Sequence, residues 1–325
     1  MRGSTRASCT VNGREILAQE QHATVGEFAE AAEEPRGPTN FQLAVRDLKR
    51  RPPALFGLIF LVIVLLWALV PWLFSPLDPY DQNLRIFLKP PGFVDPAGNF
   101  YLLGTDQQGR DMLSRIIWGA RISLIVGFAA VVVSGFIGIT LGIVAGYFGG
   151  VIDAIISRII DSALSIPFIL LAMSIVAIMG PSLRNVILAI AIRTWIVYAR
   201  VIRGTVLSVK EVEYITGAKA SGCSTFRVLF MHVLPNVLSP AIVIATLYLG
   251  RMIIIEAALS FLGVGVPPPT PTWGGMLSHG REYIDTAWWI AFFPGMILML
   301  TVLSVNLLGD WLRDTLDPKM KRLTE

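Results

Sequence analysis

The chain has 325 residues, of which 54% are hydrophobic and 15% charged, and its mean hydropathy is +0.64. This composition excludes an ordinary soluble domain. The net charge of +4 comes from basic residues beside apolar segments, which a membrane topology explains better than a nucleic-acid partner. Three histidines without clustered ligand spacing predict no metal site, and two distant cysteines, Cys9 and Cys223, predict no structural disulfide. We expect no bound cofactor.

Six long segments of the chain carry no Asp, Glu, Lys or Arg. They are residues 52–77, 122–152, 162–183, 228–250, 257–280 and 286–309. A helix needs about 20 apolar residues to cross ~30 Å of hydrocarbon, and a soluble core would not need six such runs. The sequence therefore predicts an all-α, polytopic membrane protein with six transmembrane helices.

The N-terminal region lacks the pattern of a secretory signal. Residues 1–40 are rich in Glu and contain no basic segment followed by an apolar core, so we predict a polar, disordered tail. Residues 41–74 then supply a basic cluster at Arg46, Lys49, Arg50 and Arg51 and a first span at 54–74. By the positive-inside rule, this cluster places the N-terminus in the cytoplasm.

An external loop is predicted over residues 75–120, which are rich in Pro, Gly and Asp up to residue 104. Thr105 and Gln108 have the spacing of a capping box. They predict a separate amphipathic helix, with Met112 and Ile116 on its apolar side, that lies along the membrane surface or packs on its neighbours instead of spanning.

The remaining spans fall within residues 121–310. We predict spans two to six at 122–147, 155–179, 183–201, 237–262 and 288–308. Gly138, Gly142 and Gly146 recur every fourth residue, which predicts a flat helix face for close packing, and Pro167 predicts a kink in span three. Residues 311–325 are predicted to form a cytoplasmic tail. From Arg46 onward, the predicted cytoplasmic segments hold fourteen Lys and Arg residues, and the external ones hold seven.

The predicted cytoplasmic loop at 203–236 has the pattern of a folded unit rather than a simple connection. Ser208 and Glu211 form a capping-box pattern before a short amphipathic helix, and Gly222 is suited to end it because glycine adopts positive φ without steric cost. A second helical run then continues until Pro235, which we expect to end it.

Four stretches carry a family resemblance, and one of them, formed by Trp195, Tyr198-Ala-Arg200 and Arg203-Gly204, resembles the family's approach to the cytoplasmic loop. Gly217-Ala218, Gly222 and His232-Val-Leu-Pro-Asn236 resemble the cytoplasmic EAA loop of ABC-importer permeases, with Thr216-Gly217-Ala218 standing where the general motif has Glu-Ala-Ala. Leu103 to Asp111 and Glu256 to Gly265 resemble the external segment and the end of span five in dipeptide, oligopeptide and nickel permeases. In order, these matches identify the chain as a member of that family, over about residues 41–310.

The resemblance implies a MetI-like type I ABC-importer permease fold in a bacterial or archaeal plasma membrane, with both termini cytoplasmic. It implies three kinds of protein partner: a related permease forming a heterodimer, two ATPase subunits, and an external substrate-binding protein that largely sets the cargo. The chain itself would be non-catalytic. The residues expected to couple it to an ATPase are Glu213, Tyr214, Ile215, Ala218, Lys219 and Gly222. The alternative is that these residues pack against their own chain.

Charged residues inside the spans have two readings. Arg193, Arg251 and Glu256 could line the passage or pair across helices, and the cost of isolating a charge in a membrane favours pairing. Arg158 and Asp161, three residues apart, predict a local ion pair. The segment 217–224 has the glycine spacing of a phosphate loop but Cys223 in place of the lysine, so ATP hydrolysis is expected in another subunit.

Two other functions compete with an importer permease. A self-sufficient channel or ion-coupled carrier would need acidic relays within the spans, where only Glu256 qualifies. An intramembrane enzyme would need a nucleophile and base or metal ligands at membrane depth, and the histidines supply neither. Peptides, nickel and other small polar solutes all remain open as cargo.

Overall fold

A computed structural model describes residues 46–316 of the chain. The predictions for the two tails, residues 1–40 and most of 311–325, lie outside the described residues, as does Cys9. The chain divides into two compact units, residues 1–50 and 51–325. In the first unit, the described residues 46–50 are helical. Everything below concerns the second unit.

The second unit is almost entirely helical. Its α-helices are α1 (Pro52–Leu69), α2 (Pro71–Phe74), α3 (Met112–Phe148), α4 (Gly150–Leu164), α5 (Phe168–Met179), α6 (Leu183–Val209), α7 (Glu213–Ala220), α8 (Thr225–Val228), α9 (Leu234–Phe261), α10 (Trp273–Gly280) and α11 (Trp289–Leu316). Short 3₁₀ turns lie at Leu84–Ile86 and Arg281–Tyr283, and a π-helical segment lies at Leu229–Val233. One small antiparallel hairpin pairs β1 (Phe93–Val94) with β2 (Phe100–Tyr101). The predicted all-α class is confirmed.

Five helices of the described residues are long and apolar enough to cross a membrane, or up to six spans if the bent pair α4–α5 counts as one. The axes of α4 and α5 differ in direction by 88°. Pro167 caps α5 at this break, where it confirms the predicted kink because proline cannot continue the hydrogen-bond ladder of α4. The structure is therefore that of a multi-pass membrane protein.

The predicted surface helix before span two does not exist as a separate element. Residues 112–120 are the first turns of α3, a continuous helix of 37 residues. Its cap is Asp111, whose carboxylate accepts hydrogen bonds from Ser114 N (2.8 Å) and Ser114 Oγ (2.6 Å). Thr105 Oγ1 instead donates to Ile86 O at 2.6 Å. Met112 is buried with residues of α10 and α11, so this end of α3 packs on its neighbours, which is one of the two expected placements, and does not lie along the membrane surface.

The glycine strip of α3 packs directly on α6, as predicted. A Cβ atom on Gly142 would lie 2.8 Å from Ala199 O, and one on Gly146 would lie 2.8 Å from the Cβ of Val206. Such distances are shorter than any ordinary carbon contact. Because the glycines of this strip have no side chains, α3 and α6 can approach each other closely along the strip.

Two predicted boundaries of the loop unit were wrong. Ser208 does not cap a new helix, because α6 continues through it and its Oγ donates to Gly204 O at 3.4 Å. Pro235 does not end the second helical run, since it lies in the first turn of α9, where its missing N–H costs no intrahelical bond. The π-helical segment joins α8 to α9 at that point. Gly222 does adopt the expected positive φ of 80°.

Candidate functional site

Helix α7 has one buried face and one exposed face, and the predicted coupling residues divide between them. Ile215 is completely buried in a cluster of the chain's own residues, which includes Ile202 of α6 and Val228 of α8. Tyr214, the preceding residue, is 50% exposed. The structure thus places Ile215 as the residue that attaches α7 to the rest of the chain. Its side chain is not available to a partner, contrary to the sequence-based expectation.

Tyr214 is exposed but held in one orientation. Its hydroxyl oxygen accepts a hydrogen bond from Asn236 Nδ2 at 2.8 Å, and its ring lies edge-on to that of His232, with 6.1 Å between centroids. Asn236 Nδ2 also donates to His232 O at 2.6 Å. An aromatic side chain fixed by two neighbours loses little conformational entropy when a partner covers it. His232 therefore packs against α7 near the end of the loop unit.

The other predicted coupling residues lie around the exposed face. Glu213 is exposed in the first turn of α7, Ala218 is half-buried, and Gly222 is exposed just after the helix. Cys223 N donates to Ala218 O at 3.1 Å, which closes the C-terminal end. The backbone of Lys219 belongs to α7, whereas its side chain lies outside the described residues. The structure places five of the six residues on α7, with Ile215 on its buried face, and Gly222 two residues beyond the end of the helix.

Sequence reasoning did not identify an apolar surface on the segment that follows α7. Phe226 is 69% exposed, and its ring lies 4.3 Å, centroid to centroid, from the ring of the exposed Phe230. Met231 is exposed beside them, whereas Val228 and Val233 are buried. The predicted helical run contained all these residues, but helical spacing alone did not separate the outward aromatic pair from the inward valines.

The end of α6 that carries the loop is attached to α3 and α4 by polar contacts. Arg203 donates two hydrogen bonds to the carboxylate of Asp153 on α4, at 2.5 and 2.6 Å. These two parallel charge-assisted hydrogen bonds hold α6 against α4. Lys210 Nζ donates to Gly146 O of α3 at 3.1 Å. Motion of α7 would therefore pass into α3 and α4.

The predicted ion pair between Arg158 and Asp161 was wrong. It binds Arg200 Nη2 of α6 at 3.0 Å, not Arg158 on its own helix. Both partners are more than half exposed, so the pair contributes little stability. The spacing of charged residues along α4 could not predict this pair, because the partner Arg200 belongs to α6.

The charged residues of the spans do not form the predicted ion pairs. Glu256 is completely buried, and its carboxylate accepts hydrogen bonds from Ser260 Oγ (2.8 Å) and from Ser123 Oγ of α3 (3.3 Å). Glu256 does connect two helices, α9 and α3, but its partner on α3 is the hydroxyl of Ser123 and not a charged group. The guanidinium of Arg251 lies over the ring of Tyr248 at 5.4 Å. No ion pair of the described residues includes Arg193 or Arg251.

A second ordered region lies at the opposite end of α3. Asp106 Oδ2 accepts a hydrogen bond from Arg110 Nε at 2.7 Å and lies 3.4 Å from Arg115 Nε, and all three side chains are buried. Trp289 Nε1 donates to Thr105 O at 3.1 Å, which fixes this segment against α11. Across residues 46–316, no group of three or more His, Cys, Asp or Glu could hold a metal ion.

Comparisons with known proteins agree with this architecture. The family described as "Binding-protein-dependent transport system inner membrane component" matches residues 138–322, and "N-terminal TM domain of oligopeptide transport permease C" matches residues 39–91. The chain is 46% identical to the di/tripeptide transport system permease protein DppC of Pseudomonas aeruginosa, over 82% of this chain and 88% of that one. It is 44% identical to the dipeptide transport system permease protein DppC of Haemophilus influenzae, over 84% and 93% of the two chains.

The fold also resembles a solved structure titled "Inward facing conformations of the MetNI methionine ABC transporter". The similarity has a TM-score of 0.50 at 19% identity and covers 63% of this chain and 98% of that one. At this level of identity the likeness concerns the fold alone.

Proposed function

The chain belongs to the family of binding-protein-dependent transport system inner membrane components, and on this premise we propose that it forms a path for small peptides together with a related permease subunit. It is a permease subunit of an ABC importer. Beyond this membership, we propose the cargo, the pairing with a related permease and the arrangement of the other partners. Peptides are favoured because the relatives that match four fifths of the chain are named for di- and tripeptide transport.

The observation that carries the coupling role is the division of α7 into an anchored and an exposed face. Ile215 is buried in the chain's own core, and Tyr214 is exposed one residue earlier. A short helix fixed on one side and open on the other can be gripped by a partner and can transmit the partner's movement as a rigid body. We propose that the groove of an ATPase subunit covers Tyr214, Glu213 and Ala218, with Lys219 and Gly222 at the edge.

The polar contacts of α6 would transmit a movement of α7 to other helices. Arg203 links α6 to Asp153 on α4, and Lys210 links the end of α6 to Gly146 on α3. Displacement of α7 would therefore act on two membrane helices at once. A transporter of this design opens alternately to each side of the membrane as its partners close and separate.

ATP hydrolysis is assigned to two separate ATPase subunits. The segment 217–224 has Cys223 where a phosphate loop needs lysine, and the residues before it form a helix rather than a strand. Substrate would arrive on an external binding protein. Arg200, Arg203 and Lys210 lie at the α7 end of the protein, so the positive-inside rule supports a cytoplasmic α7 with both termini inside.

Reconstitution of the co-purified complex into liposomes tests the proposal. Peptide uptake should require ATP, the ATPase subunits and the loaded binding protein together. Peptide flux through the purified chain alone, without nucleotide or partners, would instead establish a self-sufficient channel or carrier.

A further inference from the structure

A cleft of about 330 Å³ opens at the end of the molecule opposite α7. Arg110 and Arg115 line it on one side, and α10 and the glycine- and proline-rich segment after α9 line it on the other. The two ends are far apart because α3 runs from Met112 beside the cleft to Phe148 near the loop unit, and 37 helical residues span roughly 55 Å. If α7 is cytoplasmic, the cleft is external.

The two arginines of the cleft are buried and share one carboxylate. Arg110 is 4% exposed and Arg115 is 5% exposed. Both bind the same carboxylate oxygen, Asp106 Oδ2, and Arg115 Nη1 also donates to Pro79 O at 3.1 Å. The Nη1 and Nη2 atoms of Arg110 make no hydrogen bond to any residue in the described part of the chain. The contact with Asp106 therefore occupies only Nε of Arg110 and leaves its two terminal nitrogens without a partner among residues 46–316.

No Asp or Glu lines the cleft itself. Asp111 is close by in sequence, but its carboxylate is used to cap α3 through Ser114. His279 lines the rim, and partial desolvation together with Arg110 and Arg115 lowers its pKa, so its ring is neutral near pH 7. Within the described residues, the lining therefore presents the terminal guanidinium nitrogens of Arg110 as free donors, and no Asp or Glu is part of the lining itself.

The remainder of the lining suits a small organic ligand. Val266, Pro267 and Met276 provide apolar surface. Gln108 also lines the cleft, and its Oε1 atom is buried without a hydrogen-bond partner among residues 46–316. A volume near 330 Å³ lies at the lower limit of the ~300–1,000 Å³ typical of small-molecule sites. This is too little space for a folded segment of a partner protein.

We propose that this cleft binds the C-terminal carboxylate of a small peptide before the peptide passes through the membrane, with Arg110 as the main donor. The fork of N–H groups on a guanidinium matches a carboxylate in two parallel charge-assisted hydrogen bonds. Apolar walls accept the peptide side chains without selecting among them, and Gln108 Oε1 accepts a peptide N–H. This inference rests on the proposed transport of peptides.

Equilibrium binding to the purified membrane complex, without the external binding protein, tests the site. The probes are labelled alanyl-phenylalanine and its C-terminal amide. The amide should bind about tenfold or more weakly, because it cannot accept charge-assisted hydrogen bonds from Arg110. This comparison needs no variant, so it does not depend on whether an altered Arg110 folds.

A substitution at the rim provides a second test. Thr270 lines the cleft, is only half-buried and has no assigned structural contact. Thr270→Glu should weaken binding of the free acid about tenfold by like-charge repulsion and leave the amide almost unaffected. The matched neutral variant Thr270→Gln should bind both probes as the unaltered complex does.

Equal affinity for the acid and the amide, or equal effects of Thr270→Glu and Thr270→Gln, would overturn the carboxylate site. Competition by the isolated external binding protein but not by unlabelled peptide would also overturn it, because the cleft would then bind a group of that protein. The proposed function is judged separately: if the complete complex still shows ATP-dependent peptide uptake, only the cleft inference fails. If uptake itself is missing, the proposed function fails.

Discussion

Gly138 of α3 lies directly against Tyr198 of α6, so closely that a Cβ atom at position 138 would overlap the Cβ of Tyr198 and the carbonyl oxygen of Trp195. The backbone of α6 would have to move to admit even a methyl group. Gly142 and Gly146 continue the same contact along the helix. The contact between α3 and α6 therefore depends on glycine at three successive turns.

Gly138→Ala is expected to destabilise the protein by about 1–3 kcal/mol, because overpacking forces the two helices apart. Gly204→Ala is the matched control: no atom lies within 4 Å of its added Cβ, and alanine favours a helix by about 1 kcal/mol over glycine. Thermal unfolding in detergent distinguishes them. Equal stability of the two variants would contradict the close contact.

The Arg203–Asp153 pair is expected to stabilise the packing of α6 on α4. Its geometry is bidentate and its side chains are mostly shielded, so a double-mutant cycle should give a coupling energy of about 1–3 kcal/mol. The exposed Arg200–Asp161 pair joins the same two helices and should give less than about 1 kcal/mol. A coupling energy for Arg203–Asp153 no larger than that of the exposed pair would show that the bidentate link is unimportant.

Glu256 is expected to stabilise the contact between α9 and α3 through Ser123. Glu256→Ala leaves two serine hydroxyls without their acceptor and should cost about 1–3 kcal/mol, whereas Glu256→Gln keeps one carbonyl acceptor and should cost less. Thermal unfolding of the two variants measures the difference. If Glu256→Gln abolished transport without any loss of stability, the carboxylate would serve transport directly instead.

Adjacent substitutions in α7 should have opposite consequences. Ile215→Ala removes a fully buried side chain and should lower stability by about 2–5 kcal/mol. Tyr214→Ala should leave the unfolding temperature nearly unchanged but reduce substrate-stimulated ATP hydrolysis of the assembled complex at least about tenfold, since exposed aromatic anchors dominate interfaces. Tyr214→Phe, which loses only the Asn236 hydrogen bond, should retain most of the activity.

The membrane character, the spans and the glycine strip could be predicted from the sequence because each depends on local composition or spacing. The start of α3 could not. The Thr105–Gln108 pattern suggested a cap, but tertiary contacts placed Thr105 against Ile86 and left Asp111 to begin the helix. Local capping patterns do not include such competing partners.

The short helix that carries the candidate coupling residues could be predicted from the sequence, but the orientation of its residues could not. Ile215 and Tyr214 are both apolar enough to dock, and only the three-dimensional packing of α6, α8 and α9 shows that Ile215 faces inward. The partners of Asp161 and Glu256 could not be predicted from the sequence for the same reason. Each contact joins two helices, and the rotation of one helix relative to another is not fixed by hydropathy.

Photo-crosslinking from position 214 tests the central claim most directly. A photoreactive residue in place of Tyr214, in the assembled complex, should form a covalent adduct with an ATPase subunit, and the same residue in place of Ile192, which is exposed in the apolar first half of α6, should not. The account predicts this adduct at position 214 in good yield. Adducts only with this chain or with lipid, or labelling of position 214 from outside the cell, would contradict it.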